Sequence, residues 1–353
     1  MILNGDIIKD VYDNIQDKES KMIYTNRLNY SLTHDGGFLK SMVDNTVRNR
    51  AEWKRFCEEL IRRDHSETMV IYGAGIWGTI LYSETRQFVD WKYVIDSYPE
   101  GKAVGELTVK DFDRFVQEYE DETVVISSYK NYSSMVAQLH KHGIMDDRIV
   151  DAGRVIYQLT EEAIYFDLDV LMPQKSKEVF VDAGCFDGLT TKQFFTWCKG
   201  EAYSYCFEPD SKNITLIKRN LHNQLNSEII PKALWSGKRT LAMEAKGNFA
   251  TSVGEDIKNI NFHTIESVSL DDFLAGREVT FIKMDIEGAE VEALLGAKKT
   301  IAEQKPRLAI SIYHKKDDIW KIPKIIRAYC PDYRFYLRHY SFSDYDTVLY
   351  AIP

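Results

Sequence analysis

Val179–Gly188 reads VFVDAGCFDG, and the rest of the chain is organised around it. Val179-Phe180-Val181 is a short apolar strand that ends in an acid, Asp182, and breaks into a loop carrying Gly184 and Gly188. A helical run follows from Thr190 to about Trp197. Strand, glycine loop and helix in that order form the first turn of a doubly wound α/β domain, in which nucleotide-like ligands sit at the strand's carboxyl end. The glycines let the backbone approach the ligand. Asp182 offers a charge that a pyrophosphate would repel, so the loop suits a cationic nucleoside such as S-adenosylmethionine (SAM) better than a dinucleotide.

Downstream segments repeat the pattern. Tyr203–Phe207 is a second strand, closed by Glu208-Pro209-Asp210. Glu208 follows Asp182 by 26 residues, about one strand–helix–strand unit, which places a carboxylate where ribose hydroxyls lie. Asn213–His222 reads as a helix, Ile229-Ile230 with Lys232–Trp235 as an edge region, Met243–Gly254 as a polar loop, and Val268–Leu274 as a short helix that precedes a strand. Val279–Met284 is the next strand. It runs into Asp285, Glu287, Gly288 and Glu290 and then a helix over Val291–Ala302. Helix capping accounts for one acid at a strand end, less well for three around a glycine. Lys283, Asp285 and Glu287 thus crowd a central strand's carboxyl end. Leu308–Ile312 leads to Tyr313-His314, and Tyr333–His339 with Thr347–Ile352 forms a closing antiparallel pair.

Upstream, residues 1–65 read as a helical segment, with candidate helices over Ile7–Tyr30, broken around Ser20, and Gly37–Arg63. The segment is expected to pack on the adjoining α/β unit or on a second copy of itself, giving a homo-oligomer. Residues 66–155 form a small α/β unit. The buried strand Met69–Tyr72 is followed by Gly73-Ala-Gly75-Ile-Trp-Gly78, a GxGxxG, and a second strand, Trp91–Ile95, ends at Asp96. That is the context of a dinucleotide fingerprint, in which Gly73, Gly75 and Gly78 would receive a pyrophosphate and Asp96 the ribose. The same glycines also serve to pack a helix on a strand. The unit is short, and no hydride-transfer constellation comes after it. The scaffold reading is therefore preferred to a second pocket for NAD or a sugar nucleotide. Val155–Leu171 reads as a connecting helix stopped by Pro173, and residues 156–353 form the second domain.

Composition limits the partners. Hydrophobic residues make up 44% and charged residues 28% of the 353, and the net charge is −9, with no basic stripe. Nucleic-acid binding needs clustered Lys and Arg, so none is expected. No apolar run reaches about 20 residues, so no membrane span is expected. The start, MILNGDIIKDVYDN, lacks a basic end and a long apolar core, so no secretory signal is expected. Five scattered cysteines fit reduced thiols in a cytoplasm.

The segments FVDAGCFDG, YCFEPD, SVSLDDF, FIKMDIEGAE and LRHYSFSDYDTVLYAI together resemble the FkbM family of SAM-dependent O-methyltransferases, from about Val179 to the C-terminus. The resemblance implies an α/β chain of two Rossmann-like units, the second a class I SAM-methyltransferase fold with a C-terminal antiparallel strand pair. It implies that Asp182, Gly184 and Gly188 form the SAM loop, with Phe186 and Asp187 carried in it. Members often have smaller or amide residues where this loop carries Cys185-Phe186-Asp187. Glu208 would take the ribose, and Asp285 would face the methionine and methyl end. The front unit resembles GAGxxG modules that accompany sugar- and polysaccharide-modifying enzymes, which tilts the acceptor toward a glycan or another small hydroxyl compound. His314 is the expected general base, because its ordinary pKa suits neutral pH, with Asp285 the second choice and Lys283 beside them. A divalent metal on Asp285 and Glu287 is the lesser option, since no ligand set shows clear spacing, and no metal is expected. The alternatives are an NAD- or sugar-nucleotide-binding oxidoreductase or epimerase using the Gly73–Gly78 loop, and a non-catalytic binding module in glycan assembly.

Overall fold

The computed structural model describes residues 4–162, 164–173, 177–199, 201–245, 251–254 and 262–353. The chain forms two compact units, one of residues 43–164 with 340–342 and one of residues 1–42, 165–339 and 343–353.

Helix α1 (Gly5–Asp13) is capped by Asn4, whose Oδ1 accepts the Ile7 amide at 3.0 Å. Helix α2 (Lys18–Thr33) is capped by Asp17, which accepts the Ser20 amide at 2.7 Å. The break expected near Ser20 thus falls at residues 14–17, where an Asx cap restarts the helix. There Gln16 N–H donates to the Phe335 carbonyl and Phe335 N–H to the Asn14 carbonyl, at 3.0 and 3.1 Å. Ile7, Val11, Ile15, Ile23, Tyr24 and Leu28 enter the core of the C-terminal part of the chain. The apolar stripe of these helices is thus used within the chain. The expected single helix over Gly37–Arg63 is α3 (Gly36–Asn45) and α4 (Ala51–Asp64), parted where Thr46 leaves helical geometry (φ −118°, ψ −98°). Residues 1–65 therefore divide between the units at Met42/Val43, and the later boundary falls at Ile164/Tyr165 rather than at 155.

The front unit continues with β1 (Met69–Tyr72), α5 (Ile76–Thr85), β2 (Trp91–Ile95), β3 (Val109–Lys110), α6 (Phe112–Glu118), β4 (Thr123–Ile126), α7 (Tyr132–Lys141), β5 (Ile149–Asp151) and α8 (Ala152–Thr160). The five strands are parallel, in the order β3-β2-β1-β4-β5. Met69 and Ile71 face one apolar cluster with Leu81 and Ile156, and Val70 and Tyr72 face another with Phe112 and Leu139. A strand buried on both faces reads as an unbroken apolar run, which is why MVIY is so plain in the sequence. The connecting helix expected to Leu171 stops at Thr160. Tertiary contacts override helix propensity there. Tyr165 turns left-handed (φ 74°) and its amide donates to Tyr350 Oη at 3.1 Å.

The back unit contains β6 (Lys177–Ala183), α9 (Leu189–Cys198), β7 (Glu201–Phe207), α10 (Ser211–Asn220), β8 (Ser227–Ile230), β9 (Ala233–Leu234), β10 (Thr240–Ala245), β11 (Thr251–Gly254) and β12 (Phe262–Val268). It closes with α11 (Leu270–Leu274), β13 (Phe281–Met284), α12 (Glu290–Leu295), α13 (Lys298–Gln304), β14 (Arg307–Ser311), α14 (Asp318–Tyr329), β15 (Arg334–His339) and β16 (Thr347–Ile352). The main sheet has the order β15-β16-β14-β13-β6-β7-β8 and is parallel except for β16, which runs antiparallel to both neighbours. On one face Val179, Val181 and Ala183 join the large aliphatic core; on the other Phe180 stacks on Phe194 at 4.4 Å, with Phe281 beside them. The edge strand β15 is covered by residues 14–16 and by Ser20 Oγ, which accepts the Leu337 amide at 2.8 Å, so the edge offers no open ladder.

The stretch Met243–Gly254, expected as a loop, instead carries the end of β10 and all of β11, in a separate four-stranded sheet ordered β11-β10-β12-β9. Leu241 and Met243 are buried at strand period, a pattern too short to stand out in sequence. Residues 246–250 of that stretch and residues 174–176 lie outside the described residues. No helix among the described residues is long and apolar enough to cross a membrane.

Candidate active site

The parallel register puts Asp182 of β6 directly beside Lys283 of β13. Lys283 Nζ lies 3.1 Å from Asp182 Oδ1 and donates to the carbonyls of Gly184 (2.6 Å) and Ala183 (3.2 Å). Thr191 Oγ1 donates to Asp182 Oδ2 at 2.8 Å. Both charged side chains are at most 3% exposed. Burial alone would lower the Lys283 pKa, but the carboxylates of Asp182 and Asp285 outweigh it and raise it. Asp182 and Lys283 therefore form an internal brace under the glycine loop.

The loop above them is shaped by close approach. Gly184 has φ 75°, and a Cβ there would lie 1.9 Å from the Asp285 carbonyl oxygen, so no other residue fits. The amides of Gly184 and Cys185 both donate to the Phe207 carbonyl at 3.1 Å. Phe186 is left-handed (φ 50°), and its amide donates to Glu208 Oε2 at 3.0 Å, while the Asp210 amide donates to Oε1 at 2.9 Å. Glu208 thus ties the end of β7 to the loop. Burial raises its pKa more than these two amides lower it. Asp187 accepts the Leu189 amide at 3.0 Å at the start of α9, next to Gly188 (φ 82°).

Beyond β13 and β14 a second cluster assembles. The strands lie side by side with Met284 opposite Ile310, so the turn 285–290 and Tyr313-His314 leave the sheet together. Glu287 is left-handed (φ 56°) and Gly288 follows at φ 93°. Asp285 accepts from Tyr165 Oη (2.9 Å) and Tyr313 Oη (3.1 Å). Burial would raise its pKa, yet Lys283, His314 and the Tyr165 hydroxyl hold it below the usual carboxylate range. His314 Nε2 stands 3.5 Å from both Asp285 Oδ1 and Glu287 Oε2, and Nδ1 stands 2.9 Å from Glu290 Oε1. Burial works against its charge, but Glu290, Asp285 and Glu287 together raise its pKa to about 9. The free imidazole is therefore charged at neutral pH. Three carboxylates thus converge on one ring and favour its charged form.

The structure brings Asp182, Gly184, Phe186, Asp187, Gly188, Glu208, Lys283, Asp285 and His314 to the carboxyl ends of adjacent strands. It adds Tyr165, 120 residues from Asp285, which no local signal marks. It also adds Arg27 of α2, a buried side chain donating to the Tyr313 carbonyl at 3.1 Å and to that of Asp344.

Gly73, Gly75, Gly78 and Asp96 belong to the front unit and are described by themselves. A Cβ on Gly78 would meet the Gly73 carbonyl oxygen at 1.9 Å, and one on Gly73 the Ser127 Oγ at 2.5 Å; Gly75 has open space. Asp96 accepts the amides of Ala74 (2.8 Å) and Tyr98 (2.9 Å) and the Lys102 ammonium (2.6 Å). Close approach of α5 to the end of β1 accounts for Gly78, a left-handed φ of 116° beside Ser127 for Gly73, and loop bracing for Asp96.

A seven-stranded sheet of this order, reversed only at β16, with a glycine loop after its first strand and an acid after its second, is the architecture of a SAM-dependent methyltransferase. Residues 182–343 match the family model described as the methyltransferase FkbM domain. Residues 182–343 thus carry a methyltransferase FkbM domain, and the chain is a SAM-dependent methyltransferase. Among solved structures, a methyltransferase FkbM from Methylobacillus flagellatus KT shares 21% identity over 91% of this chain and 100% of its own, with a TM-score of 0.47. Aeropyrum pernix fibrillarin with natively bound SAM shares 9% identity over 54% of this chain and 73% of its own, with a TM-score of 0.36. A putative rRNA methylase from Clostridium thermocellum shares 12% over 50% and 87%, with a TM-score of 0.32. The comparison with curated proteins finds no match.

Proposed function

We propose that the chain transfers the methyl group of SAM to a hydroxyl of a carbohydrate or related small molecule. The observation that carries this reading is the Asp285–Glu287–Glu290–His314 cluster set against the glycine loop, where the Asp285 carbonyl abuts Gly184. Methyl transfer is an in-line displacement, so the protein's main task is to align the nucleophile with the methyl carbon and sulfur. A neutral hydroxyl is a weak nucleophile and must be hydrogen-bonded and relieved of its proton as the bond forms. A site rich in carboxylates serves that need. Asp285, held ionised against its burial by Lys283, His314 and the Tyr165 hydroxyl, is the group that orients the hydroxyl. Tyr345 is 61% exposed and meets Tyr313 edge-on at 5.9 Å, an aromatic face on which a sugar ring can stack. All five cysteines are free, which agrees with a reducing, cytoplasmic setting.

The test is incubation with methyl-labelled SAM and a panel of monosaccharides, sugar nucleotides and oligosaccharides, with the methylated atom located by NMR. Label on a sugar oxygen supports the reading. Label on nitrogen, carbon or sulfur acceptors alone overturns it.

A further inference from the structure

Asp285 and Glu290, on the turn after β13, and His314, after β14, each bring one donor atom to within 4.8 Å of the others. Sequence spacing hides the set, because His314 lies 24 residues beyond Glu290 on another strand. The His314 side chain is only 9% exposed; its Nδ1 meets Glu290 Oε1 at 2.9 Å, while its Nε2 has no hydrogen-bond partner among the described residues. Glu290 is fully buried; its Oε1 accepts the Ile286 amide at 2.9 Å, and its Oε2 has no partner among the described residues. Buried polar atoms are ordinarily hydrogen-bonded or bound to metal, so Glu290 Oε2 and His314 Nε2, each without a hydrogen bond among the described residues, need an explanation.

Charge and spacing supply one. Three carboxylates, from Asp285, Glu287 and Glu290, surround one imidazole. The nearby ammonium groups are engaged elsewhere: Lys283 with Asp182 and two loop carbonyls, Lys315 with the Gly288 carbonyl. Even a charged ring leaves the cluster negative. Metal–ligand bonds of about 2.1 Å set neighbouring ligands roughly 3.0 Å apart in a six-coordinate ion and roughly 3.4 Å apart in a four-coordinate one. His314 Nε2 lies 3.5 Å from a carboxylate oxygen of Asp285 and from one of Glu287, close to the four-coordinate edge and long for a direct hydrogen bond.

We propose that Asp285, Glu290 and His314, with Glu287 at the rim, form a divalent-cation site beside the SAM loop. One imidazole with several carboxylates suits Mg2+ or Mn2+, with Zn2+ as a competitor. The ion's role in catalysis rests on the proposed hydroxyl acceptor; its binding does not. An acceptor hydroxyl bound to the ion loses its proton more readily. The O–H bond breaks and its proton passes to solvent, and an O–C bond forms to the methyl carbon. The C–S bond breaks with its electron pair staying on sulfur, which leaves neutral S-adenosylhomocysteine, and the ion is unchanged.

The test is titration of the full chain, stripped with a chelator, with Mn2+ alone, followed by electron paramagnetic resonance without SAM or acceptor. One Mn2+ per chain, displaced by Mg2+ or Zn2+, is expected. H314Q and E290Q should each weaken it at least about tenfold, while E303Q, an exposed acid on α13, leaves it unchanged. Retained S-adenosylhomocysteine binding identifies the variants that are folded. A folded wild-type chain that binds no Mn2+, or folded H314Q and E290Q that bind it like wild type, overturns the site. Stoichiometric Mn2+ lost in both variants supports it even where no hydroxyl acceptor is found, a result that counts only against the acceptor.

Discussion

Lys283→Met separates bracing from catalysis. Lys283 makes one ion pair (3.1 Å) and two hydrogen bonds (2.6 and 3.2 Å), all to β6 or the loop that follows it. Met fills similar space but leaves the Asp182 carboxylate, 0% exposed, with Thr191 as its remaining side-chain donor. Removing one partner of a buried ion pair costs about 3–5 kcal/mol, because the other charge stays buried and uncompensated. Neither partner is exposed enough for solvent to screen that cost. In a unit of about 230 residues, each kcal/mol lowers Tm by about 2–4 °C, so a fall of about 6–20 °C is expected. A chain of two units does not melt as one transition. The relevant calorimetric transition is the one that moves with S-adenosylhomocysteine. Adding Asp182→Asn, which removes the stranded charge, should recover part of the loss. A K283M transition within about 2 °C of wild type, with turnover abolished, would refute the brace and return Lys283 to the chemistry.

Other consequences arise from the same geometry. Glu208→Ala removes the acceptor of the Phe186 and Asp210 amides and should weaken S-adenosylhomocysteine binding by about 1.5–3 kcal/mol; unchanged affinity by calorimetry in a folded variant would exclude Glu208 from the ribose site. Burial and the nearby Glu290 raise the Asp318 pKa to about 7. A carboxyl raised on folding contributes stability below its unfolded pKa, near 4, that is lost as pH rises through 7. Asp318→Asn should therefore flatten the fall in Tm between pH 4 and 7, and an unaltered profile would show that the group does not titrate there. Deleting residues 1–33 uncovers the edge of β15 and removes six core side chains worth about 1.5–3 kcal/mol each. That matches or exceeds the roughly 5–15 kcal/mol by which a domain is stable, so the product should be insoluble; a soluble fragment that binds S-adenosylhomocysteine would show the helices to be dispensable.

The sequence by itself determined both α/β units and the glycine loop after β6. Strands buried on two faces are continuous apolar runs, and glycines at tight turns are local necessities, so Met69–Tyr72, Val179–Val181 and the loop at Gly184 carry their meaning within a few residues. It also placed Asp285 and Glu287 at the carboxyl end of a central strand. It did not show the length of α8, the strands after Leu241, or the entry of Tyr165 and Arg27 into the site, because each depends on partners many residues away. Only the tertiary structure decided the roles. The register of β6 against β13 turns Asp182 and Lys283 into a buried pair, and that of β13 against β14 brings the 285–290 turn to Tyr313 and His314. Three carboxylates then converge on His314 and change its protonation, since a side chain's charge state is set by the groups the fold places around it rather than by its neighbours in the chain.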